Sequence, residues 1–182
     1  MNGRTANNSP SSTVTLRPLQ LPDVSKVVVL AKSSGCPRKL RASDFRKSKA
    51  SCEKYFTHPT REYFGIYYDD RLVGVVGGEN IDLTAGKLEM KKLVGESGLQ
   101  GKGIGKRATF GFLYYAFMIR NLNKVYIHCA TSTCAISIST AGLVSSWKEF
   151  SLTTSPSVTN TRTSCAWHLF KPLWLQIFFT PC

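Results

Sequence analysis

Gly98-Leu99-Gln100-Gly101-Lys102-Gly103-Ile104-Gly105-Lys106-Arg107-Ala108 lies between a strand-like run ending at Val94 and a helix-like run reaching Arg120. Four glycines in eight residues, joined to two lysines and an arginine, predict a positively charged turn with outward-facing amides. Glycine adopts positive φ and lets a ligand approach the main chain without meeting a Cβ. The helix that follows aims its unpaired N–H groups and its dipole at the same point. In outline the stretch is an anion cradle; the alternative is a basic, glycine-rich surface turn that binds nothing.

Spacing separates three kinds of phosphate loop. A Walker A loop needs a glycine where Glu96 or Gln100 stands, and a Ser or Thr after the lysine, which neither Lys102 nor Lys106 has. A dinucleotide fingerprint can be forced as Gly103-Ile104-Gly105-Lys106-Arg107-Ala108. The next strand, Lys124 to Cys129, then ends without the acidic residue that would hold a ribose. The third pattern, Gln/Arg-x-x-Gly-x-Gly/Ala, is met by Gln100-Gly101-Lys102-Gly103-Ile104-Gly105 with a strand before it and an amphipathic helix after it. On these residues the chain resembles the GNAT superfamily of acetyl-CoA-dependent N-acyltransferases, nearest in character to its ribosomal-protein N-terminal acetyltransferase-like branch. The resemblance runs from residue 14 to 130 and is strongest from Lys87 to Tyr115.

The resemblance implies an α/β (α+β) fold: a mixed, largely antiparallel central sheet flanked by helices, with a splayed strand pair that admits acetyl-CoA as co-substrate. The pantetheine amides would pair with the backbone near Leu93 and Val94. The pyrophosphate would sit on the amides of Gln100, Gly101, Lys102, Gly103, Ile104, Gly105 and Lys106. Lys102, Lys106 and Arg107 would each add on the order of 1 kcal/mol of attraction if exposed. The implied reaction is acetyl transfer to a primary amine of a small molecule or peptide. The attacking amine must be neutral, so a base is needed, and the leaving thiolate benefits from an acid. Glu89 is the base candidate, because it precedes Gln100 by about the distance the family's strand glutamate precedes its motif; Glu96 is second. The competing reading makes Glu89 a surface carboxylate paired with Lys87 or Lys91. His128 reads as a structural histidine, and Cys129 and Cys134 as inert thiols.

Composition fits one globular domain spanning 14–182: the 182 residues are 42% hydrophobic and 19% charged. The formal net charge of +13 gathers in two clusters. Lys91, Lys92, Lys102, Lys106 and Arg107 suit a polyphosphate. Arg38, Lys39, Arg41, Arg46, Lys47, Lys49 and Lys54 suit either a solvated helix face or contact with RNA or a ribosome. A catalytically impaired CoA-binding protein, or a basic RNA- or ribosome-associated protein, is therefore the rival function. Six cysteines without a Cys-x-x-Cys pair predict reduced thiols and no metal site. Met1 to Thr13 reads as a disordered leader, no stretch reaches membrane-spanning length, and the cytoplasm is the expected location.

In chain order, Val14–Pro18 predicts a short strand and Pro22-Asp23 opens a helix through Lys32. A second helix is expected from Ser43 past Glu53 to Tyr55 and Phe56. Glu62–Tyr68 and Arg71–Gly77 form a hairpin around Asp69-Asp70, with Asn80–Thr84 a continuation or a short third piece. Lys87–Val94 is the motif strand, with Leu88, Met90 and Val94 on one face and Glu89, Lys91 and Leu93 on the other. Ile104, Ala108, Phe112, Tyr115 and Ile119 recur at helical spacing and predict a largely buried helix. From Thr131 Ser and Thr dominate as far as Ser164 and periodicity fades. Ser139 stands near the place where many GNAT members carry an acidic tyrosine. The segment 131–166 is expected to be a damaged or frame-altered form of the family's C-terminal helix and hairpin, or else a divergent version that still folds. His168–Phe179 returns to apolar density and predicts a last strand, held by Pro172 to an edge or a start.

Overall fold

The computed structural model describes residues 13–33, 49–99, 101–130, 164–172 and 174. The elements within them are β1 (Val14–Pro18), α1 (Leu21–Ser33), α2 (Lys49–Phe56), β2 (Glu62–Tyr68), β3 (Arg71–Asp82), β4 (Lys87–Val94), α3 (Ile104–Tyr114), β5 (Lys124–Ala130) and β6 (Ser164–Phe170). The six strands form one sheet in sequence order. All neighbours are antiparallel except β4 and β5, which are parallel and joined through α3. This is the mixed, mostly antiparallel sheet with flanking helices that the resemblance implies.

Turn chemistry sets the meander. Asp69 and Asp70 take φ of 49° and 60°, the left-handed pair of a tight two-residue hairpin turn. β3 runs without a break through Asn80 to Asp82, so Asn80–Asp82 continues it. Its register against β4 shifts between Glu79 and Asp82, and Asn80 takes φ 51° there. Gly74 is required by close approach: a Cβ would lie 2.3 Å from the carbonyl oxygen of Leu93.

The sheet separates two cores. On one face Ile66, Val76, Leu88 and Met90 pack against Ile104, Ala108, Phe112 and Phe117 of α3 and the turn after it. On the other, Tyr63, Val75 and Leu93 pack against Val24 and Val27 of α1 and Cys52 and Phe56 of α2. β4 therefore alternates as its sequence predicts, and the two faces see different helices.

Three expectations need correction. The helix after the loop is not regular to Arg120: α3 gives way to a π-helical turn over Tyr115–Ile119, where Arg120 N–H donates to Tyr115 O at 2.9 Å. The wider turn rotates Ile119 off the buried face to 64% exposure, so its helical spacing does not make it core. Tyr114 is likewise exposed, while Phe117 is fully buried. The last strand is Ser164–Phe170, which begins earlier than the apolar run; Pro172 follows it instead of opening it. Pairing with β5 over seven residues decides this, through Lys124↔Phe170 to Ala130↔Ser164. The tail of the Ser/Thr-rich segment, Ser164–Ala166, thus belongs to the sheet. The expected leader, the start of the second helix at Ser43 and residues 131–163 lie outside the described residues, and α2 is described from Lys49.

Candidate active site

The site is a fork. β4 and β5 pair at Lys87↔Lys124, Leu88↔Val125 and Glu89↔Tyr126, and no further rung follows among the described residues. Beyond Glu89, β4 stays paired with β3 up to Val94↔Gly74, while β5 stays paired with β6 up to Ala130↔Ser164. Each strand keeps its outer partner and turns an edge of backbone N–H and C=O groups towards the other. The edge of β4 includes Leu93, whose side chain is buried against α1 and α2, and Val94, whose side chain packs on the α3 side.

The glycine loop lies at the far end of β4. Gly101 and Gly103 take φ of 82° and 73°, and a Cβ on either would meet no atom within 4 Å. Open space and left-handed backbone together leave the loop amides clear of side chains. Gly103 caps α3 with no side-chain hydrogen bond, and the first turn of α3 holds no acid. Lys102, Lys106 and Arg107 surround it, and Lys102 and Lys106 point to solvent. Ile104 is buried in the core and anchors the loop to the sheet. Beneath it, Lys92 Nζ reaches from β4 to Thr109 Oγ1 at 2.8 Å and Gly105 O at 3.3 Å. A cation beside a helix N-terminus is unfavourable in isolation, because both are positive. Four basic groups at an uncapped N-terminus therefore suit a polyanion, and the residues present fit the pyrophosphate of acetyl-CoA. Gln100 lies outside the described residues.

At the base of the fork Glu89 is 8% exposed and accepts from Lys91 Nζ and from Asn80 Nδ2, the latter at 3.0 Å. The pairing with Lys91 foreseen for it is present, yet the carboxylate is buried and stands where the strands part. Lys87 instead lies 4.0 Å from Asp82. Glu96 is ion-paired with Arg71 at the other end of β4 and does not join the fork.

Register gathers residues that spacing could not. Glu79 on β3 faces Glu89 on β4, Glu89 faces Tyr126 on β5, and Tyr126 faces His168 on β6. Glu79 is buried and accepts from the hydroxyls of Tyr55 and Tyr63. Burial, then Glu79, pushes the Tyr55 hydroxyl up; burial does the same to Tyr63, so both remain donors. His128 is exposed beside the fork, its ring 5.4 Å from that of Tyr126. His168 is pushed down by burial, then by the charges of Lys124 and His128. Among the described residues no group of acids, histidines and cysteines could hold a metal ion, and no helix is long and apolar enough to cross a membrane.

The family model described as "Acetyltransferase (GNAT) family" matches residues 25–136. No curated protein matches the chain by sequence. Among solved structures, the chain is similar to mutant forms of the spermidine/spermine N-acetyltransferase SpeG from Vibrio cholerae, with a TM-score of 0.71 at 18% identity over 90% of this chain and 97% of that one. It is also similar to a dodecameric structure of spermidine N-acetyltransferase from Vibrio cholerae, with a TM-score of 0.70 at 18% identity over 91% and 98% of the two chains. A structure described as a probable acetyltransferase gives 0.68 at 20% identity over 88% and 94%. At these identities the likeness shows the fold.

Proposed function

Because the chain belongs to the GNAT acetyltransferase family, we propose that it transfers an acetyl group from acetyl-CoA to a primary amine of a small cationic molecule. The observation that carries this is the fork: β4 and β5 part after Glu89, and the edge they leave leads to an open, basic glycine loop. In this reading the amides from Gly101 to Lys106 hold the pyrophosphate, with Gln100 beside them. The backbone at Leu93 and Val94 receives the pantetheine arm.

Glu89 takes the proton from the attacking amine. Its carboxylate already accepts hydrogen bonds from Lys91 and Asn80, which fix its oxygens at the base of the fork. Glu79 and Glu89 place two carboxylates side by side on a chain of net charge +13, acceptors that suit the N–H groups of an amine. The likeness to spermidine N-acetyltransferases supports the same acceptor class. A peptide N-terminus, the acceptor implied by the ribosomal-protein branch, is the second class to test.

The experiment is a thiol-release assay with acetyl-CoA and a panel of spermidine, putrescine, an aminoglycoside and a short peptide, read beside calorimetry with CoA. Amine-dependent release is expected, greatest with the polyamines. A folded protein that gives no heat with CoA and no thiol with any amine, but binds RNA in a steeply salt-dependent way, would overturn the reading in favour of a basic RNA-associated protein.

A further inference from the structure

We propose that Lys91 is itself an acceptor: with no amine bound, the protein acetylates this side chain from acetyl-CoA. The inference rests on the acetyltransferase reading above and adds a modification site to it.

Any acceptor must present a primary amine to Glu89, and one is already there. Lys91 Nζ donates to Glu89 Oε1, so its ammonium offers a proton to the group that has to take one. Strand alternation puts the two on one face of β4. Leu93 shares that face and marks it as the one covered by α1 and α2. Lys91 thus stands midway between the base and the backbone assigned to the pantetheine arm, where the thioester would lie in that reading.

The ladders leave Lys91 room to move. On the β3 side it faces Gly77, which has no side chain to hold the lysine stem. On the β5 side no rung follows Glu89↔Tyr126 among the described residues, so Lys91 borders the open fork. Its flexible four-carbon stem lets Nζ swing from Glu89 into that gap while the backbone stays in place. Other lysines are engaged elsewhere. Lys87 Nζ lies 4.0 Å from Asp82, Lys92 Nζ reaches Thr109 and Gly105 on the α3 side, and Lys102 and Lys106 point to solvent. Carried on the same strand as the base, Lys91 needs no binding step, which is the entropic advantage of an intramolecular reactant.

The step balances as follows. The Lys91 ammonium gives one proton to Glu89, and the freed lone pair attacks the thioester carbonyl carbon. The carbon–nitrogen bond forms, the carbon–sulfur bond breaks, and its electron pair leaves on sulfur. The sulfur takes a proton from solvent, while the nitrogen and Glu89 each give one to solvent. Acetyl-CoA and the Lys91 ammonium become CoA, an acetylated Lys91 and one free proton. Acetylation removes the Lys91 cation and with it the ion pair on Glu89.

The test is to incubate the protein with acetyl-CoA and no amine. Thiol release should show a burst that stops at one CoA per chain, and peptide mass spectrometry should find a single acetyl group, on Lys91. The half-time of the burst should not depend on protein concentration, since the reaction stays within one chain. Glu89→Gln should slow the burst about 100-fold with CoA affinity unchanged by calorimetry. Lys91→Arg should abolish it, and Lys87→Arg should leave it intact. Saturating spermidine should delay the label, because both amines need the same base. Labelling of Lys91 no faster than that of Lys87, or as fast in Glu89→Gln as in the parent, is uncatalysed acetylation and overturns the proposal. A parent that acetylates spermidine and leaves Lys91 unmodified also overturns it, while the acetyltransferase reading stands. A parent that neither binds CoA nor releases thiol with any amine removes both readings.

Discussion

Gly103→Ala tests the cradle with one atom. Gly103 takes φ 73°, and an L-residue there costs about 1–2 kcal/mol. Nothing lies within 4 Å of the new Cβ, so no clash adds to that cost. For a chain of this length each kcal/mol is worth about 2–4 °C, and the melting temperature should fall by roughly 2–8 °C. In the proposed site the same Cβ would fill the space that a pyrophosphate oxygen needs to reach the loop amides. One lost charge-assisted hydrogen bond is worth about 1.5–3 kcal/mol, or roughly 10- to 150-fold in Kd for CoA. Two further variants separate strain from obstruction. Gly103→Asn tolerates left-handed φ better and should recover part of the stability but none of the affinity. Gly98→Ala, where the structure also shows nothing within 4 Å and no positive φ, should leave both unchanged. Differential scanning calorimetry and CoA titration read the two quantities independently. A Gly103→Ala protein that loses the stability but binds CoA as tightly as the parent would refute the claim that the ligand approaches this backbone.

Trp174 is fully buried, with ring centroids 5.6 Å from Phe117 and 6.0 Å from Phe110. Trp174→Ala should therefore cost about 3–5 kcal/mol in denaturant unfolding, and a loss under 1 kcal/mol would mean that it does not pack on α3. His168 binds a proton less readily folded than unfolded, because burial and the cations of Lys124 and His128 oppose it. The folded state holds fewer protons just below the ordinary histidine range, so stability rises with pH across that window and is lost as pH falls through it. His168→Gln should flatten the drop in melting temperature between about pH 7 and pH 5; an unchanged slope would count against this account.

Much of the meander and the loop was legible because local chemistry carries them. Asp69-Asp70 announces a two-residue turn, and the glycine spacing announces left-handed positions that Gly101 and Gly103 then adopt. Residues whose place depends on distant partners were harder to read. The π turn leaves no local mark, and Ile119 keeps perfect helical spacing while turning outward. β6 is set by its ladder with β5 rather than by its own pattern, so the denser apolar run after it drew the expectation too far along the chain. Glu89 is singled out by its distance from the loop, and the structure places it where β4 and β5 part. Its neighbours are not, because Glu79 and Tyr126 meet it only through the register of two ladders, and asparagine in a strand-like run does not disclose the positive φ of Asn80.

The short join between β4 and β5 has a mechanical consequence. Three rungs connect two ribbons, one made of β1 to β4 and the other of β5 and β6. A molecule lying along the open edges behaves as an extra strand shared by both, so part of its binding free energy becomes stiffness of the whole sheet. The ribbons also share a core through Val125 and Leu169, so the effect should show as slower amide exchange along the open edges with it than without it. Substrate loading in this sense also stiffens the join, and the donor acts as a splint between the two ribbons.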